Sequence, residues 1–493
     1  MTTEAVPQVA AEASVGRRAL LGRATLLLLS RAIGVLLGVV TTVLIARKLG
    51  PTAFGTFALG LVLLQLGGLV TDLGMHSLLV RESDRDPSLQ RALLVWSERV
   101  RLLAGALVAL VLAGVVLATV DGGRERLAVI AIVAALPLQA LSLGTAVMQQ
   151  RLLLSWISML VLVQSVVYVV VVGALYVANA SVLGFALGYL GFAASYAVLV
   201  SVSARRLLHE VRNTLTWTQF RALVGDAVPI SVAAVIISVY YRVDSLLVYN
   251  LSTPDDAGAY AVAFRFLDHA QLVPLTLSTL FLPLLTRRHS QAEPVAEVVE
   301  EYVRLSLLLT VPVVGVGMLA AGPIISLFGS EYAESVVLLR LVLPAFVGIG
   351  LGYVFASVAV VHRRGRSQLR VAVGALVANI ALNLAFIPQH GARAAAIITV
   401  VTELSVAGAL FLTLRGPCGL TVPGWWLIRL AGVTAVAGTA GLLLIATPLL
   451  AVAVFAALFA SGAVAGQLVT RDELQGLLRR RTPRASAPPS AAD

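Results

Sequence analysis

About fourteen stretches of this sequence are each some twenty residues long, mostly apolar, and separated by short polar breaks. Their approximate bounds are 24–46, 55–80, 93–118, 127–149, 153–177, 181–204, 220–249, 258–285, 302–328, 334–361, 368–388, 391–414, 425–446 and 448–469. A helix needs about 20 predominantly apolar residues to cross a bilayer. In lipid every backbone group must be satisfied within the segment, so such runs fold as helices. Composition agrees: 59% of residues are hydrophobic and 12% charged, against about 45–50% and about 25% in soluble domains. The reading is an all-α, polytopic integral membrane protein of about 14 transmembrane helices.

Arginine sets the expected orientation. Lys48 is the single lysine, and arginines collect on alternate connections: Arg81, Arg85 and Arg91; Arg205, Arg206, Arg212 and Arg221; Arg363, Arg364, Arg366 and Arg370. The opposite connections carry only Arg47, Lys48, Arg124, Arg126 and Arg393. The positive-inside rule then places both termini in the cytoplasm and the protein in the cytoplasmic (inner) membrane as a multi-pass chain. The formal charge of +11 is read the same way, so membrane lipid is an expected partner and nucleic acid is not. Cys418 is the only cysteine, which leaves no internal disulfide and no cysteine metal site. The polar N-terminal segment runs into the first apolar run without a small-residue cleavage site, as an uncleaved first span does.

One turn occurs twice. "RKLGPTAFGTFALG" (47–60) separates the first two runs, and "NLSTPDDAGAYAVAF" (250–264) separates the seventh and eighth. Leu49 matches Leu251, Gly55 matches Gly258, Phe57 matches Tyr260 and Ala58 matches Ala261, with one residue inserted in the second copy. The repeats therefore begin at spans 1 and 7. Internal repeats flanking a central site are a transporter signature. The expected organisation is an N-terminal cytoplasmic tail (1–23), an N-lobe of six spans (24–204), a cytoplasmic linker (205–219), a C-lobe of six spans (220–414), two further spans (415–470) and a disordered cytoplasmic tail (471–493). Gly55 and Gly258 are expected to open the second helix of each hairpin, with Phe57 and Tyr260 near the outer interface. Arg47 and Lys48 on one rim face Asp255 and Asp256 on the other, a pattern that predicts attraction between the rims.

"IARKLGPTAFGTFAL", "DLGMHSLLVRE", "YYRVDSLLVYNLSTPDDAGAYAVAFRF" and "LPLLTR" resemble the polysaccharide-biosynthesis flippases. These are the O-antigen and exopolysaccharide (Wzx-type) members of the multidrug/oligosaccharidyl-lipid/polysaccharide (MOP) exporter superfamily. The resemblance covers most of the chain. It implies translocation of undecaprenyl-pyrophosphate-linked oligosaccharide between leaflets by alternating access of two six-helix lobes. It also implies neighbours in the pathway, a polysaccharide polymerase and glycosyltransferases, and no cofactor.

Charges within apolar runs cost at least about 2.5–3.5 kcal/mol on insertion scales, so each is expected to face a wet cavity or a partner. Arg31 begins a stripe with Gly34, Gly38 and Thr41 or Thr42, suited to a cavity wall that approaches phosphate; Gly34-x-x-x-Gly38 also suits tight helix packing. Arg242 and Asp244 lie about 200° apart round a helix, so each needs a partner elsewhere. Arg265 and Asp268 are three apart and can pair with each other; in the alternative, Arg265 faces a diphosphate or acidic sugar. His269 beside them reads as structural. Asp72, with Gln65 and Gly68 on one face, and the solitary Glu403 are candidates for gating or coupling. Gln139, Ser142, Gln149, Ser158, Ser165 and Tyr168 suit sugar hydroxyls.

The sequence has no Walker loop, GxSxG elbow, HExxH or Cys/His cluster, so no enzyme, metal or ATPase is expected in this chain. Two readings of the same superfamily compete. A cation-coupled multidrug antiporter would prefer an acidic cavity, whereas the intramembrane charges here are richer in Arg. A lipid II flippase would be expected to carry an Arg-Asp pair in the middle of span 1, where this chain has Leu36, Leu37 and Gly38. A membrane polymerase or ligase would want a sizeable outer loop, which is lacking.

Overall fold

The computed structural model describes residues 5–72, 74–151, 153–208, 215–421 and 423–468. Helices account for the regular structure, and no strand occurs among these residues. Eleven of the helices are long and apolar enough to cross a membrane. The protein is an all-α, multi-pass membrane protein.

Apolar runs outnumber continuous helices for physical reasons. Ala5–Asp72 carries the first run and most of the second, and it is broken at Gly50, where φ is 71° and ψ 172°. Glycine adopts that conformation without the steric penalty an L side chain meets. Pro51 follows, with φ preset and no N–H to satisfy in a first helical turn. Gly391 (φ 59°, ψ −146°) divides Gly365–Cys418 in the same manner, separating the runs at 368–388 and 391–414. The run at 220–249 is interrupted at Tyr241 and Arg242, leaving Trp217–Tyr240 and Val243–Leu251. The next run is divided into Pro254–Ala270 and Leu272–Ser290.

The chain forms two compact units. One comprises Met1–His269, Ile325–Val342 and Gln368–Thr402; the other comprises Ala270–Ile324, Leu343–Ser367 and Glu403–Asp493. The first unit thus takes in the start of the second sequence repeat together with the whole of the first. Its packing centre near the Arg-rich ends includes Leu78, Leu93, Met148, Val200 and Phe220. The Trp96 indole donates to the Leu215 carbonyl at 2.9 Å and stacks on Phe220 at 6.0 Å. Thr216 closes a capping box with Gln219 at the start of Trp217–Tyr240, satisfying two otherwise orphaned helix-start donors. In the second unit Phe281 and Tyr302 stack with ring centroids 4.4 Å apart. Gly348 there is held so close to Glu403 and Leu404 that an added Cβ would meet their backbone at 2.8 Å.

Within the first unit the two repeated turns are direct neighbours. A Cβ on Gly55 would collide with the Pro254 carbonyl oxygen, and one on Gly258 with the Pro51 carbonyl oxygen. Each glycine therefore admits the first turn of the other copy's helix. Thr52 donates to the Asp255 carboxylate, and the Thr56 hydroxyl lies 3.3 Å from that of Tyr249. The expected attraction between rims takes another form: no ion pair joins Arg47 or Lys48 to Asp255 or Asp256 among the described residues. Lys48 instead donates to the Asn179 side chain and sits 5.5 Å from the centre of the Tyr176 ring. Asp256 accepts from Ser252. Phe57 and Tyr260 are not interfacial either; they are 2% and 1% exposed, because the close glycine contact draws their helices together.

Candidate functional site

A chamber of 460 Å³ opens inside the first unit. Residues on both sides of the Gly50 break line it, from Gly38, Thr41 and Thr42 to Phe54, Phe57 and Gln65. Gln139 enters from the 3₁₀ segment Pro137–Leu143. Ser165 and Tyr168 come from Leu154–Val177, Tyr189 and Phe192 from Val182–Leu207, and Arg265 and His269 from Pro254–Ala270. The break at Gly50 allows one stretch of chain to contribute two walls.

Five of the polar side chains in this lining have no hydrogen-bond or ion-pair partner among the described residues: Gln65, Gln139, Tyr168, Tyr189 and Arg265. Polar groups removed from water without partners are costly, so this convergence marks a wet or ligand-filled space. Gly68 makes room for Gln139, since a Cβ at 68 would strike the Gln139 amide oxygen. Thr41 and Thr42 donate back to the carbonyls of Leu37 and Gly38 at 2.8 Å. Their hydroxyl hydrogens are thereby occupied, leaving oxygen lone pairs as acceptors. The His269 Nδ1 lies 2.6 Å from the Arg265 carbonyl. A carbonyl only accepts, so Nδ1 carries the proton. The opposite nitrogen, Nε2, lies 3.5 Å from where a Cβ on Gly38 would stand. Three aromatic rings form one wall: Tyr168 lies 4.4 Å from Phe192 and 6.0 Å from Tyr189.

A recess of 60 Å³ shares Arg265, Gln65 and Leu61 with the chamber. Here Arg242 grips Asp268 with two parallel contacts, Nη2 to Oδ1 at 2.8 Å and Nη1 to Oδ2 at 3.1 Å. The local Arg265–Asp268 pair expected from spacing is therefore replaced by a pair across two helices. The break at Tyr241–Arg242 brings that guanidinium to Asp268, and the bidentate fork satisfies both carboxylate oxygens. Among the described residues, Arg265 is left without a carboxylate at ion-pair distance.

The other candidates lie elsewhere. Asp244 is buried, accepting from Tyr260 at 2.5 Å, from Thr399 at 3.1 Å and from the Ser245 backbone N–H at 2.7 Å. It has the partners on other helices that its position required, and it ties three segments together. Asp72 pairs with Arg101 at 2.9 Å. Glu403 is buried in the second unit. The Arg31 side chain lies outside the described residues. Among the described residues no group of three His, Cys, Asp or Glu is placed to hold a metal ion.

Sequence reasoning missed Arg101, Tyr189 and Phe192 and took His269 as structural. The signals were present. Arg101 interrupts the third apolar run, and Tyr189 and Phe192 stand three apart on one face of the sixth.

Residues 44–337 match the family described as "Polysaccharide biosynthesis protein". The chain belongs to that family. Solved structures share the fold of this polysaccharide-biosynthesis protein. "Lipid II flippase MurJ, inward closed conformation" is 12% identical, with a TM-score of 0.74 over 90% of this chain and 98% of that one. An inward-facing multidrug resistance MATE family transporter of the MOP superfamily is 16% identical, with a TM-score of 0.64 over 78% and 94%. A MOP superfamily transporter from Pyrococcus furiosus is 14% identical, with a TM-score of 0.61 over 80% and 94%. No curated protein matches the sequence. At these identities the likeness is one of fold.

Proposed function

We propose that this protein is a flippase for a polyprenyl-(pyro)phosphate-linked oligosaccharide, moved across the cytoplasmic membrane for cell-surface polysaccharide synthesis. The observation that carries the reading is Arg265, a guanidinium facing a chamber among uncharged donors and acceptors without an ion-pair partner. An anionic phosphate supplies that partner, and the planar fork of Arg suits its oxygens. Gln65, Gln139, Thr41, Thr42 and Ser165 offer the mixed donor and acceptor set that sugar hydroxyls need. Tyr168, Tyr189 and Phe192 offer flat apolar faces for sugar C–H surfaces. Family membership supports the pathway, and the shared fold supports transport by alternating access. Asp72 and Glu403 remain candidates for gating or coupling on this reading, and Arg31 and Arg242 for the cationic side of the path. Asp268 orients Arg242, and Asp244 holds the helix that bears it.

The competing reading is export of organic cations by a MATE-like mechanism. A cation would need a carboxylate in the chamber, and none is among the described residues lining it. Reconstitution into liposomes with a fluorescent polyprenyl-pyrophosphate oligosaccharide, followed by quenching from outside, tests the choice. Wild type is expected to move the lipid, and Arg265→Ala to slow it severalfold or more. Unchanged flipping in Arg265→Ala, or transport of an organic cation but no lipid, would falsify the proposal.

A further inference from the structure

A second cavity, of 820 Å³, has Arg91, Glu98, Arg99, Leu102, Leu103 and Arg205 in its lining. It lies within the first unit but shares no lining residue with the chamber. Its main wall is one face of Gln90–Thr119, because positions 91, 94, 95, 98, 99 and 102 recur at helical spacing. That face changes character along its length. It begins with arginine and ends in leucines, of which Leu102 is 43% and Leu103 69% exposed. Leu107 and Leu110 continue the exposed apolar surface along the same helix. The facing wall is the end of Val182–Leu207, which brings Arg205 to the same rim.

The charges at this rim are unbalanced. Arg205 pairs with Glu98 at 3.2 Å, so the single carboxylate in the lining is engaged. Arg91 and Arg99 are exposed and have no hydrogen bond or ion pair among the described residues. Arg99 instead lies over the Trp96 ring at 5.6 Å, which holds the guanidinium at the cavity edge. Two guanidiniums without an ion pair among the described residues stand at the polar end of a leucine track on a membrane-spanning helix. That combination matches an amphiphile with a phosphate at one end and an acyl chain at the other. Basic pockets of this kind at a membrane rim are suited to anionic lipid headgroups.

We infer that this cavity is a binding site for an anionic phospholipid, with the headgroup phosphate between Arg91 and Arg99 and an acyl chain along Leu102 and Leu103. The site is separate from the transport chamber. Its occupant is a bilayer lipid that stays bound where Gln90–Thr119 meets Val182–Leu207. Glu98 holds Arg205 beside the headgroup and offsets part of the positive charge. A lipid with one net negative charge therefore suits the site better than a neutral one.

Native mass spectrometry of the full chain in detergent reads this directly. The protein is titrated with phosphatidylglycerol, with phosphatidylcholine of the same acyl chains, and with inorganic phosphate. Phosphatidylglycerol adducts are expected to exceed phosphatidylcholine adducts by about tenfold at equal concentration, because basic residues near a membrane surface attract anionic lipid. The double variant Arg91→Gln/Arg99→Gln is expected to lower phosphatidylglycerol adducts to the phosphatidylcholine level. Unchanged phosphatidylcholine adducts and an unchanged melting temperature show that the variant is folded. Leu103→Gln is expected to weaken both lipids without removing the preference. Equal binding of the two lipids by wild type overturns the inference. So does a preference that survives in the double variant, or inorganic phosphate that displaces the lipid completely at millimolar concentration.

Discussion

Arg265 and Arg242 stand in the same helical neighbourhood and have different surroundings. Arg242 is committed to Asp268 through two contacts, whereas Arg265 points into the chamber without a carboxylate at ion-pair distance. A hydrogen bond to a charged group contributes about 1.5–3 kcal/mol. On the proposed reading, losing a contact between Arg265 and substrate phosphate is therefore expected to weaken binding about tenfold to a hundredfold. Arg265→Lys keeps the charge and loses the fork, so it should recover only part of that. Binding of a polyprenyl-pyrophosphate oligosaccharide in detergent, measured for wild type, Ala and Lys variants, checks the order. The Arg242–Asp268 pair predicts something else. Its members are coupled, so Arg242→Gln and Asp268→Asn should each lower stability, and the double variant should cost less than their sum by about 0.5–3 kcal/mol. Thermal unfolding of the four proteins gives the coupling directly, and strict additivity would show that the pair contributes nothing. Asp244 makes the contrast clearer. Its partners are Tyr260, Thr399 and a backbone N–H, so Asp244→Asn should reduce folded yield more than substrate affinity in the protein that does fold.

Helix breaks did more than helix faces to shape this site. The Gly50 break lets residues 37–45 and 54–65 line one chamber, and the break at Tyr241–Arg242 turns a guanidinium to Asp268. Gly38, Thr41, Thr42, Gln65, Gln139, Ser165, Tyr168 and Arg265 were legible in the sequence because a polar residue or glycine in an apolar run at helical spacing is a strong signal. Partner choice was not legible. Periodicity fixes which residues share a face but not which other helix that face meets, so Arg265–Asp268 was the pair that spacing offered. Asp72 and Arg101 show the same gap, since 29 positions separate them in the sequence and their ion pair forms only when their helices pack. The repeated turn was legible as a repeat, and its physical role emerged only from the close approach of its two copies. That contact makes a prediction at the scale of the element. Gly258→Ala would place a Cβ against the Pro51 carbonyl oxygen, and overpacking of this kind typically costs about 1–3 kcal/mol. A drop in melting temperature of several degrees is expected, with no drop or a small rise for Gly352→Ala, an interior helix position where nothing lies within 4 Å of the added carbon. Equal effects at the two positions would show that the close approach has no energetic weight.

For the molecule as a whole, transport as proposed requires the chamber to be reached from both faces of the membrane in turn. The repeated turns meet through Gly55 and Gly258, and Thr52 donates across them to Asp255. Phe54 and Phe57, on the helix that starts at this contact, also line the chamber. On the proposed reading, separating the two turns would therefore move part of the chamber wall, and their contact is the candidate gate on the expected outer face. The chain offers a clean background for a test, because Cys418 is its only cysteine. In a Cys418→Ala protein, Thr52→Cys/Asp255→Cys places two thiols where a hydrogen bond now joins the side chains. Oxidation is expected to arrest flipping by at least about tenfold, and reductant to restore it, while each single variant transports at a rate near that of the background protein. The cross-linked form should still bind the lipid-linked oligosaccharide added from the Arg-rich side, since Arg265 and the aromatic wall are untouched. Full transport with the disulfide formed would show that these turns stay together throughout the cycle. The route out of the chamber would then have to lie between other helices.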